Sequence, residues 1–133
     1  MPHDFVSSLN PAQREAVLHV DGPLLILAGP GSGKTRVVTH RVAHMLHEGI
    51  PARGILALTF TNKAADEMQA RLTRLAPGER VWMGTFHRFC ARTLRQYASF
   101  VGLTENYTIY DTQDSLRVLK RTIEELNIEL THV

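Results

Sequence analysis

The chain has 133 residues, 44% of them apolar, and a formal net charge of +2; that supports one modest hydrophobic core and excludes a disordered or strongly polyionic class. The apolar run Pro23 to Ala28 is far too short to span a bilayer, and His3 and Asp4 stand where a secretory signal would carry Lys or Arg, so the expectation is a cytoplasmic protein with no membrane segment. The single cysteine, Cys90, has no partner for an internal disulfide and is expected to pack in the core.

In chain order, Asn10-Pro11-Ala12-Gln13 comes first: a capping residue, a first-turn proline and a glutamine at the third helical position predict a short helix. Leu24 to Leu27, Ile55 to Thr59 and Val81 to Thr85 are short aliphatic, β-branched-rich runs that predict buried strands. Each is followed by a helix-period stripe. These are Val38, Val42, Met45 and Leu46, ended by Gly49; Ala65, Met68, Leu72 and Leu75; and Phe86, Phe89, Cys90, Leu94 and Tyr97. Strands alternating with helices predict an α/β class, with a parallel sheet covered by flanking helices. Beyond Gly102, Tyr107 to Tyr110 predicts a brief extended stretch. Asp111 then opens a helix whose stripe of Leu116, Leu119, Ile123 and Leu126 needs a partner of its own.

Charge is distributed unevenly along this frame. Arg71, Arg74, Arg80, Arg88, Arg92 and Arg95 face a single acid, Glu79, in the same stretch, whereas Glu105 to Val133 holds six acids against three bases. The basic block is where a polyanion would sit.

The segment Leu24 to Thr35 carries a nucleotide-site signature. Ala28-Gly29-Pro30-Gly31-Ser32-Gly33-Lys34-Thr35 lies between a predicted strand and a predicted helix, the context in which a Walker A match is credible, with Ala28 in place of the usual first glycine. Glycines at 29, 31 and 33 let the backbone adopt positive φ, so that successive N–H groups face phosphate oxygens and the helix N-terminus adds its dipole. Lys34 supplies a point charge to the β- and γ-phosphates, and Thr35 a hydroxyl to Mg²⁺. Such a loop names a nucleotide site and no particular reaction.

Flanking stretches make the match more specific. Leu9-Asn10-Pro11-Ala12-Gln13-Arg14-Glu15-Ala16-Val17, the loop with its following Arg36, Ala57-Leu58-Thr59-Phe60-Thr61-Asn62-Lys63-Ala64-Ala65, and Gly84-Thr85-Phe86-His87 resemble, in order and spacing, the Q motif and motifs I, Ia and Ib of UvrD/PcrA/Rep-type superfamily 1 DNA helicases. The resemblance covers essentially the whole chain. It implies a RecA-like P-loop motor domain that uses ATP and Mg²⁺ and moves along single-stranded DNA, 3′ to 5′, in repair or replication. It also implies that Gln13 reads adenine, that Arg36 lies near the nucleotide, and that Thr59, Phe60, Thr61, Asn62, Lys63, Thr85, Phe86 and His87 line the DNA track.

The residue types suit those roles: hydroxyls and Lys63 for phosphate and sugar, an exposed Phe60 for stacking without reading base identity. Local readings compete for some of them. Gln13 also closes a capping box with Asn10, Arg36 is also a solvated helix residue, Thr61 and Asn62 are also helix-cap types, and Phe86 also begins an apolar stripe. His40, His44 and His47 share a helix face, but Arg36 lies on it too and the chain has no cysteine cluster, so no metal site is assigned there.

Hydrolysis in this family also needs an Asp-Glu pair at the end of a later strand and arginines from later motifs. The adjacent carboxylates Glu124 and Glu125, like Asp66 and Glu67, sit inside an amphipathic pattern and do not fill that role. The expectation is therefore an incomplete motor. Residues 1–98 would form the first part of motor domain 1A and residues 99–133 the start of the helical insertion 1B, with the rest of the helicase chain required for activity. Two other classes share the loop, a nucleoside monophosphate kinase and a non-catalytic ATP- or DNA-binding module. Kinase loops usually place another glycine before the threonine, which Thr35 here does not allow.

Overall fold

The capping pattern at Asn10 produces the helix it predicts. In the computed structural model, which describes residues 6–128, helix α1 spans Pro11–Leu18. The Asn10 side chain accepts the Gln13 N–H at 2.9 Å and the Gln13 Oε1 accepts the Asn10 N–H at 3.2 Å. Two orphan amides are thereby satisfied reciprocally.

Helix α2, Lys34–His47, ends as Gly49 predicts. Gly49 takes φ 86°, its N–H donates to the Leu46 carbonyl at 3.1 Å, and the Ile50 N–H donates to the Met45 carbonyl at 3.0 Å. That is the two-bond Schellman ending, which needs a left-handed residue.

Strand β1, Leu56–Thr59, leads through helix α3, Asn62–Leu75, to strand β2, Trp82–Thr85. The strands pair in parallel, from Leu56 opposite Trp82 to Thr59 opposite Thr85, and α3 supplies the crossover that parallel pairing requires. Helix α4, Phe86–Gln96, follows β2 directly; helix α5 spans Thr112–Glu125.

The chain divides into two compact units, Met1–Ala91 and Arg92–Val133. In the first, α2 is the spine of two apolar clusters. Val37 packs with Leu9, Ala16 and Val17, while Val42 and Ala43 pack with Ile55, Leu72 and Val81. Since α2 faces both α1 and α3, it buries a broader face than one stripe: Val37 is buried and the expected Val38 is not. On α3, Ala65, Met68 and Leu72 are buried as their spacing predicts. In the second unit, a 3₁₀ turn at Ala98–Val101 is closed by Gly102 at φ 71°. There the Arg95 guanidinium lies 5.3 Å from the Tyr107 ring centroid. Asp111 caps α5 through a reciprocal box with Asp114, and no residue of α5 is buried. No helix among the described residues is long and apolar enough to cross a membrane.

Three expectations are corrected. Leu24 to Leu27 forms no strand: the sheet has two strands, not three, and Leu25 and Leu27 are 81% and 87% exposed. A strand is defined by ladder partners, and this apolar run has none among the described residues. Helix α4 buries no residue, because α3 is the helix that packs on both strands and a two-stranded sheet offers little further area. Cys90, on α4, is accordingly exposed and not part of the core.

Candidate functional site

Between α1 and α2 the chain makes an exposed loop, Ala28 to Gly33, that runs straight into the first turn of α2. Gly31 and Gly33 adopt φ of 72° and 82°, where a side chain is disfavoured. Gly29 does not, so two of the three glycines use the conformational freedom expected of them. Gly33 is the N-cap of α2 and offers no side chain to its amides, leaving the helix start open to an external acceptor. From Ala28 to His40 the sequence carries Lys34 and Arg36 and no carboxylate. Backbone donors and like-signed charge at one helix start favour an anion.

Lys34 folds over this loop. Its Nζ donates to the Ala28 carbonyl at 2.9 Å and the Gly29 carbonyl at 2.8 Å, and the Ser32 Oγ donates to the same Gly29 carbonyl at 2.6 Å. Pro30 lies exposed at the tip, and Thr35 is half-buried in the first turn of α2. A cavity of about 170 Å³ opens beside the loop, lined among others by Gln13, Ile26, Ala28, Ser32, Lys34 and Val37.

Gln13 joins α1 to the loop. While its Oε1 serves the capping box, its Nε2 donates to the Ser32 carbonyl at 3.1 Å. A Cβ built on Gly33 would lie 3.0 Å from that same Nε2. The glutamine thus sits against the loop backbone, which its capping role alone does not require. Arg36 points elsewhere, donating to the Ser8 carbonyl at 3.1 Å and the Ser8 Oγ at 2.7 Å. No sequence pattern announced either contact.

The second group of candidate residues gathers at the C-terminal ends of β1 and β2. Pairing of Thr59 with Thr85 sets the two strand ends side by side, and the rings of Phe60 and Phe86 meet with centroids 5.2 Å apart. Phe60 is 85% exposed and Phe86 43%, so core packing does not account for either. Thr61 caps α3 by accepting the Ala64 N–H at 3.2 Å, and Thr85, buried, accepts the Arg88 N–H at 3.2 Å. The Thr59 hydroxyl donates to the Thr61 carbonyl at 2.8 Å. Asn62, Lys63 and His87 are exposed around the phenylalanine pair. All eight residues therefore lie at one sheet edge, where open α/β sheets bind ligands. The threonines shape the turns there, and of the three only Thr61 is fully exposed.

Comparison with known proteins gives the family. Residues 9–133 match the UvrD/REP helicase N-terminal domain, and the chain belongs to that family. It is 48% identical over 130 residues to the ATP-dependent DNA helicase PcrA of Bacillus subtilis (strain 168), covering 96% of this chain and 18% of that protein. It is 49% identical over 128 residues to PcrA of Staphylococcus epidermidis (strain ATCC 12228 / FDA PCI 1200), covering 94% of this chain and 18% of the relative. PcrA of Staphylococcus aureus (strain NCTC 8325 / PS 47) is 46% identical over the same length. The chain thus spans about a fifth of the length of these relatives.

Proposed function

We propose that this chain supplies the ATP-binding and first DNA-contacting part of an ATP-dependent DNA helicase that moves 3′ to 5′ on single-stranded DNA, in the cytoplasm, in repair or replication. Residues 1–98 belong to a RecA-like P-loop motor domain and residues 99–133 open a helical insertion. The observation that carries the reading is the presence, in one compact unit, of a carboxylate-free loop with a folded-over lysine and an exposed phenylalanine pair at parallel strand ends. Relatives named as ATP-dependent DNA helicases support it.

In this reading Ala28, Gly29, Pro30, Gly31, Ser32 and Gly33 hold the triphosphate through their backbone, and Lys34 exchanges its two loop carbonyls for phosphate oxygens. Thr35 gives a hydroxyl to Mg²⁺, which would neutralise charge on the transferring phosphoryl group. Arg36 lies beside the nucleotide once freed from Ser8. Gln13 reads adenine: a primary amide has two N–H groups and two acceptor lone pairs, and each of its present bonds uses one, leaving one N–H and one lone pair for the adenine edge. Thr59, Phe60, Thr61, Asn62, Lys63, Thr85, Phe86 and His87 contact single-stranded DNA, with Phe60 stacking on a base.

The Asp-Glu pair Asp66-Glu67 lies inside α3, and among the described residues none stands at the end of an apolar strand to activate water; in this reading the chain binds ATP without turning it over at a motor's rate, and the remaining motifs come from a longer helicase chain. The test is thermal melting with and without Mg·ATP, alongside an ATPase assay with oligo(dT). ATP raises the melting midpoint and Lys34→Ala removes that rise, because only a ligand of the native state stabilises it. Robust DNA-stimulated hydrolysis by the chain, abolished by Lys34→Ala, would refute the proposed lack of turnover.

A further inference from the structure

Gln13 makes a contact that neither helix capping nor base reading calls for. Its Nε2 holds the Ser32 carbonyl at 3.1 Å, across nineteen positions of sequence. In a trans peptide the carbonyl and the following N–H point in opposite directions. Anchoring the Ser32 carbonyl on α1 therefore turns the Gly33 N–H away from α1. That N–H has no acceptor among the described residues. The flanking backbone does not enforce this orientation by itself, since Gly31 and Gly33 both occupy the left-handed region that glycine enters and leaves freely. The glutamine also packs closely: a Cβ on Gly33 would meet its Nε2 at 3.0 Å.

We propose that Gln13 is a positioning residue for the phosphate loop: its amide fixes the Ser32–Gly33 peptide so that the Gly33 N–H is held ready for a phosphate oxygen, independently of any base. The inference rests on the phosphate-loop reading of Ala28 to Thr35 and adds a role there for a residue outside the loop. The capping box holds Gln13 Oε1 on the Asn10 N–H, so the Nε2 approaches Ser32 from a fixed point on α1. A loop with this peptide free to flip presents one amide fewer, part of the time, to a polyphosphate.

The distinguishing probe is a ligand with phosphates and no base. Binding of magnesium tripolyphosphate is measured by calorimetry for the unaltered chain, Lys34→Ala, Gln13→Met and Asn10→Ala, with melting midpoints as the check on folding. Gln13→Met keeps side-chain length and removes both the brace and part of the cap. Asn10→Ala removes the other part of the cap and leaves the brace. The expected result is a loss of about three- to tenfold in tripolyphosphate affinity for Gln13→Met, the scale of one hydrogen bond, and a change within about twofold for Asn10→Ala. Unchanged affinity in Gln13→Met, with the unaltered chain binding and Lys34→Ala not, overturns the brace and leaves the phosphate loop standing. An equal loss in Asn10→Ala assigns the effect to helix capping and overturns the brace as well. Absence of binding by the unaltered chain overturns the phosphate-loop reading and the brace together. A second readout follows the Gly33 amide resonance, which shifts on adding tripolyphosphate to the unaltered chain and shifts less in Gln13→Met. An equal shift in both counts against the brace.

Discussion

Phe60 and Phe86, the residues immediately after β1 and β2, stand ring to ring with centroids 5.2 Å apart because the parallel register aligns Thr59 with Thr85. Neither ring is taken up by the core, and Phe60 is the more exposed of the two. An exposed aromatic braced by a second ring is a stacking surface that accepts any base. Phe60→Ala is expected to weaken binding of oligo(dT) and oligo(dA) alike by about 1–3 kcal/mol, while Phe60→Trp retains binding. The melting midpoint stays put, since an 85% exposed side chain contributes little to folding. Fluorescence anisotropy with labelled oligonucleotides reads the first effect. Unchanged affinity in Phe60→Ala would remove the ring from the proposed DNA contact.

Gly84 lies under Trp82. A Cβ there would sit 2.8 Å from the indole Cη2, and the indole is itself held edge-on against Phe89, with centroids 5.8 Å apart. Moving the ring aside would disturb that contact. Gly84→Ala is expected to destabilise the chain by about 1–3 kcal/mol through overpacking, measured by urea denaturation. The loss should shrink in the Trp82→Leu background, where the obstructing ring is gone. Equal losses in both backgrounds would place the cost in the backbone instead.

What was legible in the sequence was local. The Asn10–Gln13 box, the Gly49 ending and the Ala65, Met68, Leu72 stripe each depend on residues within about one or two helical turns, and each formed as spaced. The positive φ of Gly31 and Gly33 was legible for the same reason. Leu24 to Leu27 failed because a run of aliphatic residues records a demand for burial and not the strands that would satisfy it. Cys90 failed similarly: a stripe on α4 does not say how wide the sheet beneath it is. The bonds from Gln13 to Ser32 and from Arg36 to Ser8 join residues nineteen and twenty-eight positions apart, and no short-range spacing encodes them.

Two leucines test the corrected core. Leu72 is fully buried against Val42, Ile55 and Val81, and Leu72→Ala is expected to cost about 2–5 kcal/mol by opening a cavity. Leu25, 81% exposed in the expected but absent strand, should tolerate Leu25→Ala within about 0.5 kcal/mol. Denaturant midpoints with unchanged slopes read both. A cost at Leu25 similar to that at Leu72 would show that the run is buried in solution after all.

Arg71 and Arg74 on α3, Arg80 before β2 and Arg88 on α4 are all exposed in the unit that carries the phenylalanine pair. None has an acidic partner among the ion pairs of the described residues. Arginines that neutralise DNA phosphates release condensed counterions, so binding falls with salt at a slope of roughly 0.7 per contacted phosphate on a single strand. If these four touch the DNA backbone, replacing one by Gln lowers affinity for every sequence alike and flattens the salt dependence by about that increment. Phe60→Ala behaves differently, lowering affinity with the slope intact, because stacking releases no counterions. Titrations of oligo(dT) at several salt concentrations separate the two effects. An Arg→Gln variant with unaltered slope and affinity is a solvated surface position, and the arginines that do shift the slope trace the path of the strand away from Phe60.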